Sequence, residues 1–200
     1  SDGLRVENVK IYNNGQDGIV FGGSGNGTAT GCEVYDNNGS QIVSAYARGA
    51  VITNNDVYQT PAVSANRTGI AATVGSGTLD ISGNRISNMR GKGISASVWT
   101  GGSVSGNTVT NCGAYEPSSG KAGIAVEEIK GASVVGNRVT QDAGNTTTLF
   151  GIYMPSTATG GTVTDNDCTG AGTTNANSIA ISSGTNTQAR NKQRDGTLVP

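Results

Sequence analysis

The residues best suited to acid–base chemistry in this chain are three glutamates. Glu127 and Glu128 are adjacent, and Glu116 precedes them in a stretch rich in turn-forming residues. Hydrolysis of a glycosidic bond uses two carboxyl groups roughly 5 to 10 Å apart. Glu127 paired with Glu116 or Glu128 is therefore a candidate catalytic dyad, although adjacent glutamates are also typical of a solvated face.

A second chemistry centres on Tyr153 and two basic residues. Abstraction of a proton beside a uronate carboxylate needs a base, commonly Arg, Lys or Tyr, and a positive group that neutralises the carboxylate. Tyr153 with Arg67 or Lys121 fits these two roles. The residue types leave both reactions, hydrolysis and lysis, open.

Other aromatic and charged residues are candidates for holding a ligand. A shallow site for a chain-like molecule needs aromatic contact area together with a few polar groups that fix the orientation. The predicted substrate-binding residues are Trp99, Tyr46, Arg48, Arg67, Lys121, Tyr115 and Glu128.

Several other chemistries are disfavoured by the residue content. The chain contains no His, so Ser-His-Asp and Cys-His machinery is excluded. The three cysteines Cys32, Cys112 and Cys168 are an odd number at wide spacing, which favours small apolar packing over a disulfide framework or a metal site. We expect no metal and no cofactor.

The charge and hydropathy of the chain limit the classes of partner that it can bind. Thirteen basic and fourteen acidic residues leave a net charge of −1, and because the signs are interspersed, the electrostatic footprint of a nucleic-acid binder is missing. No apolar run reaches the length of a membrane span. The chain begins at Ser1 without a Met and directly inside a repeat, which is typical of a piece excised from a longer protein.

The strands that must position these residues are predicted from a sequence segment that repeats along the chain. The phrase apolar, small, small, Asn, any, apolar occurs as "ISGNRI", "VSGNTV" and "VVGNRV". Apolar residues flank its Asn at the alternate positions that a strand turns inward. Asn tolerates the left-handed bend that such a phrase needs, and stacked Asn side chains can bond in a ladder. The anchor positions, at intervals of 23, 23, 29, 23, 30, 29 and 25 residues, are Val9, Cys32, Asn55, Asn84, Asn107, Asn137, Asn166 and Asn191.

A second phrase containing Gly-Ile runs in phase with the first, as in "DGIVF", "TGIAA", "KGISA", "AGIAV" and "FGIYM". Each coil therefore contains at least two short β segments, and since one strand pair cannot bury its apolar face alone, the coils must stack. The content of 32 Gly and 20 Asn agrees with a turn-rich all-β chain. Helical and propeller repeats have other lengths and patterns, so we predict one domain, residues 1–200, that forms an all-β, single-stranded parallel β-helix of about seven to eight coils.

Coil length varies just before the Gly-Ile strand. Insertions lie at 59–67, 111–122, 141–150 and 169–178, and stacking in register should bring them together as the wall of a groove beside the Gly-Ile sheet. Glu127 and Tyr153 are expected at matching outward positions on neighbouring coils. Alternation predicts a groove floor made of Val43, Ala45, Ala71, Thr73, Ser95, Ser97, Ala125, Glu127, Tyr153, Pro155, Ala180 and Ser182.

The Gly-Ile and Asn phrases together resemble the parallel β-helix repeats of the pectate-lyase-like superfamily, which includes polysaccharide lyases, polygalacturonase-type hydrolases and phage tailspike depolymerases. The resemblance covers essentially the whole chain. It implies a right-handed coil, a polysaccharide partner, an extracellular, cell-surface or virion location and, for relatives of the tailspike type, a homotrimer. Two functions remain open: a lyase or glycoside hydrolase that processes an extracellular polysaccharide, and a non-catalytic carbohydrate-binding or structural segment of a virion tail or surface fibre.

Overall fold

The two repeated phrases form strands that stack coil upon coil. The structure, a computed structural model, describes residues 3–23, 25–62, 66–114, 121–142, 148, 150–182 and 185–199. The predicted all-β parallel β-helix is confirmed, with about 7 turns and almost no helix. A bilayer-spanning helix is absent from the described part of the chain.

In chain order the strands fall into groups, one group to a coil. Coils 1 and 2 contain β1 (Leu4–Glu7), β2 (Lys10–Tyr12), β3 (Ile19–Gly22), β4 (Asn26–Thr30), β5 (Glu33–Tyr35) and β6 (Ile42–Ala45). Coils 3 and 4 contain β7 (Gly49–Thr53), β8 (Asp56–Tyr58), β9 (Ile70–Thr73), β10 (Leu79–Ser82), β11 (Arg85–Ser87) and β12 (Ile94–Ser97). Coils 5 and 6 contain β13 (Gly102–Ser105), β14 (Thr108–Thr110), β15 (Ala122–Glu127), β16 (Ala132–Val135), β17 (Arg138–Thr140) and β18 (Phe150–Met154). The remainder contains β19 (Thr162–Thr164), the helical turn α1 (Asn175–Ser178), β20 (Ile179–Ile181), β21 (Thr187–Ala189), β22 (Asn191–Lys192) and β23 (Leu198–Val199).

Equivalent strands of successive coils pair in parallel and form three sheets. Sheet 1 is β1-β4-β7-β10-β13-β16-β19-β21, sheet 2 is β2-β5-β8-β11-β14-β17, and sheet 3 is β3-β6-β9-β12-β15-β18-β20. The register keeps equivalent residues opposite each other, so that Ile81 lies between Ile52 and Val104. The last two strands, β22 and β23, pair antiparallel. Most coils have three strands, because the bend inside the Asn phrase separates sheet 1 from sheet 2.

Inward-facing residues of the three sheets meet in one aliphatic core. Five isoleucines of the Gly-Ile strands, Ile42, Ile70, Ile94, Ile124 and Ile152, are fully buried. The residues that flank the anchor are buried as alternation predicts, at 0 to 2% exposed: Ile52, Val57, Ile81, Ile86, Val104, Val109, Val134, Val139, Val163 and Cys168. The core is thus a stack of layers in which each coil covers the apolar face of the next.

The anchor asparagines form a continuous ladder between sheets 1 and 2. Asn107 shows the pattern of one rung. Its Oδ1 accepts hydrogen bonds from the backbone N–H and the Nδ2 of Asn84, both at 3.0 Å. Its Nδ2 donates to the Oδ1 of Asn137 and to the carbonyl of Ile81, both at 2.9 Å. Every bonding position of the amide is used, so the ladder is scaffold rather than a row of amides free for a ligand.

The bend of each Asn phrase is made by the residue before the anchor. Asn54, Gly83, Gly106 and Gly136 have φ values of 56°, 65°, 61° and 64°. The prediction that the anchor Asn itself is left-handed is therefore wrong. The preceding residue turns the chain, and that turn leaves the anchor side chain pointing into the stack, where its amide is saturated.

Candidate functional site

The outer face of sheet 3 has a floor of small side chains. Ser95 and Ser97 on β12 lie opposite Ala71 and Thr73 on β9, and all four are partly exposed as predicted. Ala125, which was also predicted to face outward, is fully buried. The described floor is flat over these coils, and larger side chains stand up only next to it.

An ion pair crosses this floor between coils 4 and 5. Lys92 lies just before β12, and Glu127 is the last residue of β15. The Lys92 Nζ and the Glu127 Oε1 are 3.2 Å apart, and the two side chains are only 15% and 31% exposed. Partial burial screens this pair less than a pair in open solvent. Glu127 lies where alternation predicts, but it is engaged by a lysine that sequence reasoning missed.

Two aromatic rings stack on the next coil. Phe150 and Tyr153, both on β18, have ring centroids 4.7 Å apart and an interplanar angle of 22°. Both side chains are partly exposed. Their register partners on β15 are Ala122 and Ala125, which are fully buried. Small residues on one coil and large aromatic ones on the next thus form a step on the surface of sheet 3.

We call Lys92, Glu127, Phe150 and Tyr153 the sheet-3 site. The Gly-Ile strands align at their isoleucines, so Tyr153 lies opposite Ala125, two residues before Glu127. The prediction that Glu127 and Tyr153 occupy matching positions is therefore wrong. Strand geometry still places their Cα atoms roughly 8 Å apart on the same side of the sheet.

The proposed partners of Glu127 in acid catalysis are not assembled by the described residues. Tyr115 and Glu116 lie outside the described residues, so the dyad of Glu127 with Glu116 stays a prediction. Glu128 is exposed and has a φ of 54°. Because it lies in the turn after β15, it does not share the strand face that carries Glu127.

Trp99 lies in the core, and its prediction as a surface binding residue is wrong. Only 2% of it is exposed, and its Nε1 donates to the carbonyl of Ala72 at 3.2 Å. The preceding residue, Val98, has a φ of 58°. This left-handed residue resets the in–out alternation of the strand, so the next side chain points inward. The Trp99 ring lies directly against Gly75, where an added Cβ would collide with it.

Tyr46 and Arg48 follow β6, three coils before Glu127, whose register position matches that of Ala45 at the end of β6. Tyr46 follows β6 with a φ of 59° and is 70% exposed. Arg48 is exposed, and its backbone N–H donates to the carbonyl of Gly25 at 3.0 Å. Both predicted binding residues are thus available to a ligand, although they are several coils from Tyr153.

Two other predicted residues, Arg67 and Lys121, lie on the coils that flank Lys92. An Nη of Arg67 donates to the Oδ1 of Asn38 at 3.1 Å. The carbonyl of Lys121 accepts from the backbone N–H of Phe150 at 2.8 Å. Basic residues therefore precede sheet 3 on three successive coils, 3 to 5.

Sequence reasoning missed a tyrosine ladder on sheet 2. Tyr12, Tyr35 and Tyr58 are mutual register partners, with centroids 5.0 and 4.7 Å apart and rings parallel within 5°. Their spacing of 23 residues equals the length of a short coil, and that equality could have identified them. Lys10 lies 5.1 Å from the centre of the Tyr35 ring, within cation–π range.

The polar groups of this ladder are bonded to one another. Hydrogen bonds from Tyr58 and then Lys10 lower the pKa of Glu33. Burial, and then the bond to Glu33, raise the pKa of Tyr58. The bonds to Glu33 and Tyr35 raise the pKa of Lys10. Because Lys10, Glu33 and Tyr58 lie on three successive coils, their bonds stabilise the stacking of coils 1 to 3.

No group of three or more acidic or cysteine side chains within the described ranges has metal-ligand geometry. Cys32, Cys112 and Cys168 are all buried, unpaired thiols, as predicted from their spacing. Burial raises the pKa of Cys112 to about 12, and a thiol that stays protonated is a poor nucleophile.

The fold and its surface define a parallel β-solenoid whose sheets 2 and 3 both carry aromatic and charged side chains on their outer faces. The chain belongs to the family described as the right handed beta helix region, which it matches over residues 1–194. No curated protein and no solved structure matches it.

Proposed function

We propose that this chain binds an extracellular polysaccharide along the outer face of sheet 3. The observation that carries the proposal is the partly exposed Phe150–Tyr153 stack beside the Lys92–Glu127 ion pair. Aromatic rings offer flat apolar contact area to a sugar ring, and ionised side chains form strong hydrogen bonds with its hydroxyls. The flat floor of serine and alanine leaves room for a polymer to lie across several coils.

Family membership and the repeat pattern support a carbohydrate partner. The chain is a β-helix of the right handed type, and its phrases resemble those of the pectate-lyase-like superfamily. A polysaccharide ligand accounts for the extracellular, cell-surface or virion location implied by that resemblance. The homotrimer implied by relatives of the tailspike type belongs to the same proposal, and sedimentation of the 20.0 kDa chain tests it.

The binding experiment uses a panel of acidic and neutral polymers: polygalacturonate, alginate, xylan and dextran. Affinity electrophoresis identifies which of them retards the chain, and calorimetry measures the dissociation constant. Tyr153→Ala is expected to weaken binding about tenfold, the loss typical of removing an aromatic anchor. Tyr12→Ala, which removes an exposed tyrosine from sheet 2, is the matched control and should bind as the unaltered chain does. Equal binding by the Tyr153 variant, or no binding to any polymer, would overturn the proposal.

Cleavage of the bound polymer is a second candidate function, favoured by the partly exposed Glu127 carboxylate inside the same surface. New reducing ends with absorbance of unsaturated uronate would identify a lyase, with Tyr153→Phe as the first variant to test. New reducing ends without that absorbance would identify a hydrolase and direct attention to Glu127→Gln. Binding without either product would leave a recognition scaffold.

A further inference from the structure

Tyr46 is the most exposed large apolar side chain in the described ranges. It is 70% exposed and follows β6 directly, at the edge of sheet 3 where the chain turns toward sheet 1. A tyrosine that presents most of its ring to solvent contributes little to the core. Its position on the same sheet as the proposed binding surface suggests a contact with the same ligand.

A small cavity adjoins the Tyr46 ring. It has a volume of about 200 Å³ and is lined by Tyr46, Val74, Gly75 and Ser76. The base of this cavity is held in place from inside, because the buried Trp99 ring lies against Gly75 and is itself bonded to the carbonyl of Ala72. A hollow of this kind beside an exposed aromatic ring offers apolar contact area to one sugar unit.

The backbone around this cavity is strained. Tyr46 and Val74 have φ values of 59° and 50°, a region that is unfavourable for any side chain and especially for a β-branched one. The conformation is imposed by the coil stack, since the backbone N–H of Tyr46 bonds to Thr73 at 3.3 Å and that of Val74 bonds to Ser97 at 3.0 Å. The same left-handed turn follows sheet 3 at Val98 and Glu128 on the next coils, so the scaffold itself fixes the position of Tyr46 beside the cavity.

A continuous path of hydroxyl side chains joins the cavity to the sheet-3 site. Thr73 on coil 3 and Ser95 and Ser97 on coil 4 are partly exposed and lie between the two. Four coil steps separate coil 2 from coil 6, which is roughly 19 Å, and Tyr46 is offset from Tyr153 by three residues along the strands, which is about 10 Å. The diagonal from Tyr46 to Tyr153 is therefore roughly 22 Å.

We propose that the Tyr46 cavity is a second contact for the same polysaccharide chain, so that tight binding requires a chain long enough to span both sites. This inference depends on the proposed function of the sheet-3 site. It assigns Tyr46 as a binding residue and Trp99 as a positioning residue that supports the cavity from the core. Two tethered contacts bind a long chain more tightly than either contact binds a short one.

The single tryptophan of the chain reports on this cavity. The binding polymer from the panel is partially hydrolysed, and its oligomers are separated by length. Calorimetry then gives the dissociation constant of each oligomer, and Trp99 emission shows whether the oligomer reaches the cavity. Short oligomers are expected to bind without changing the emission, whereas long ones bind at least about tenfold more tightly and do change it.

Variants separate this inference from the proposed function. Tyr46→Ala should remove the emission change and the length dependence while leaving short oligomers unaffected, whereas Tyr153→Ala should weaken all lengths. Unaltered length dependence in the Tyr46 variant would overturn the second contact and leave the sheet-3 site standing. Loss of binding at every length in the Tyr46 variant, with no loss in the Tyr153 variant, would instead overturn both assignments.

Discussion

The hydroxyl of Tyr58 donates a hydrogen bond of 2.7 Å to the carboxylate of Glu33 on the preceding coil. The other carboxylate oxygen of Glu33 lies 3.2 Å from the Nζ of Lys10, one coil further back. The three residues thus link coils 1 to 3 through polar contacts. The stacked rings of Tyr12, Tyr35 and Tyr58 link the same coils through apolar contact.

The Glu33 bonds make stability sensitive to acid. Because the folded state lowers the pKa of Glu33, the stabilisation is present above the ordinary carboxyl pKa and is lost as the pH falls through the lowered value. Glu33→Gln should therefore show a smaller fall in its urea midpoint than the unaltered chain between about pH 6 and about pH 3. Parallel curves for the two proteins would contradict this role for Glu33.

Tyr58 makes stability sensitive to alkali. Its pKa is raised in the folded state, so its contribution is present below the ordinary phenol pKa and is lost as the pH rises above about 10. Tyr58→Phe keeps the ring but cannot ionise. We expect it to cost about 1 kcal/mol near neutral pH and to lose less stability above about pH 10. Urea unfolding followed by circular dichroism measures both effects, and an alkaline loss as large as that of the unaltered chain would exclude Tyr58 as its source.

Removal of one ladder rung should be severely destabilising. Asn107→Ala leaves the backbone N–H and the Nδ2 of Asn84 without their acceptor, inside the protein. Buried unsatisfied donors are costly, and we expect the free energy of unfolding to fall by about 3 kcal/mol or more. The matched control is Asn38→Ala, which removes an exposed asparagine and should change stability by less than about 0.5 kcal/mol. Similar losses in the two variants would mean that the ladder has no special role.

Relief of backbone strain should stabilise the chain. Val98 is 39% exposed and has a φ of 58°, which glycine adopts without a steric penalty. Val98→Gly is expected to raise the free energy of unfolding by up to about 1 kcal/mol, despite the flexibility that glycine adds to the unfolded chain.

The control for Val98 is Val51, which is 40% exposed on the regular strand β7. Val51→Gly should lower the free energy of unfolding by about 1 kcal/mol, because glycine weakens a strand interior. Both values come from chemical denaturation. Destabilisation of equal size at the two positions would show that the left-handed valine is not strained.

Most of the architecture could be predicted from the sequence because period-two alternation and the anchor spacing are local properties. Ile81, Ile86 and the Gly-Ile residues are buried where the pattern places them. The error at Trp99 occurs at a bend. Trp99 was assigned to the surface because the left-handed turn at Val98 inverts the alternation of inward and outward side chains. A pattern of apolar and polar residues does not reveal such a turn.

The site was predictable only in part. Alternation identified Glu127 and Tyr153 as outward residues, but their relative position depends on the register of β15 and β18, which is set by Ile124 and Ile152. The pairing of Glu127 with Lys92 joins residues 35 positions apart, and no local pattern connects them. The catalytic dyad with Glu116 remains a prediction.

The asparagine ladder also has a genetic consequence. Each inner rung makes the same bonds to the rung before it and the rung after it, and intervals from 23 to 30 residues are accommodated by loops outside the ladder. A tandem duplication of one whole coil would therefore insert a rung that fits its neighbours at once, whereas a duplication of half a coil would break the register of all three sheets. Selection can thus lengthen or shorten this protein in whole coils, and every coil gained or lost changes the length of its outer surface by one strand spacing.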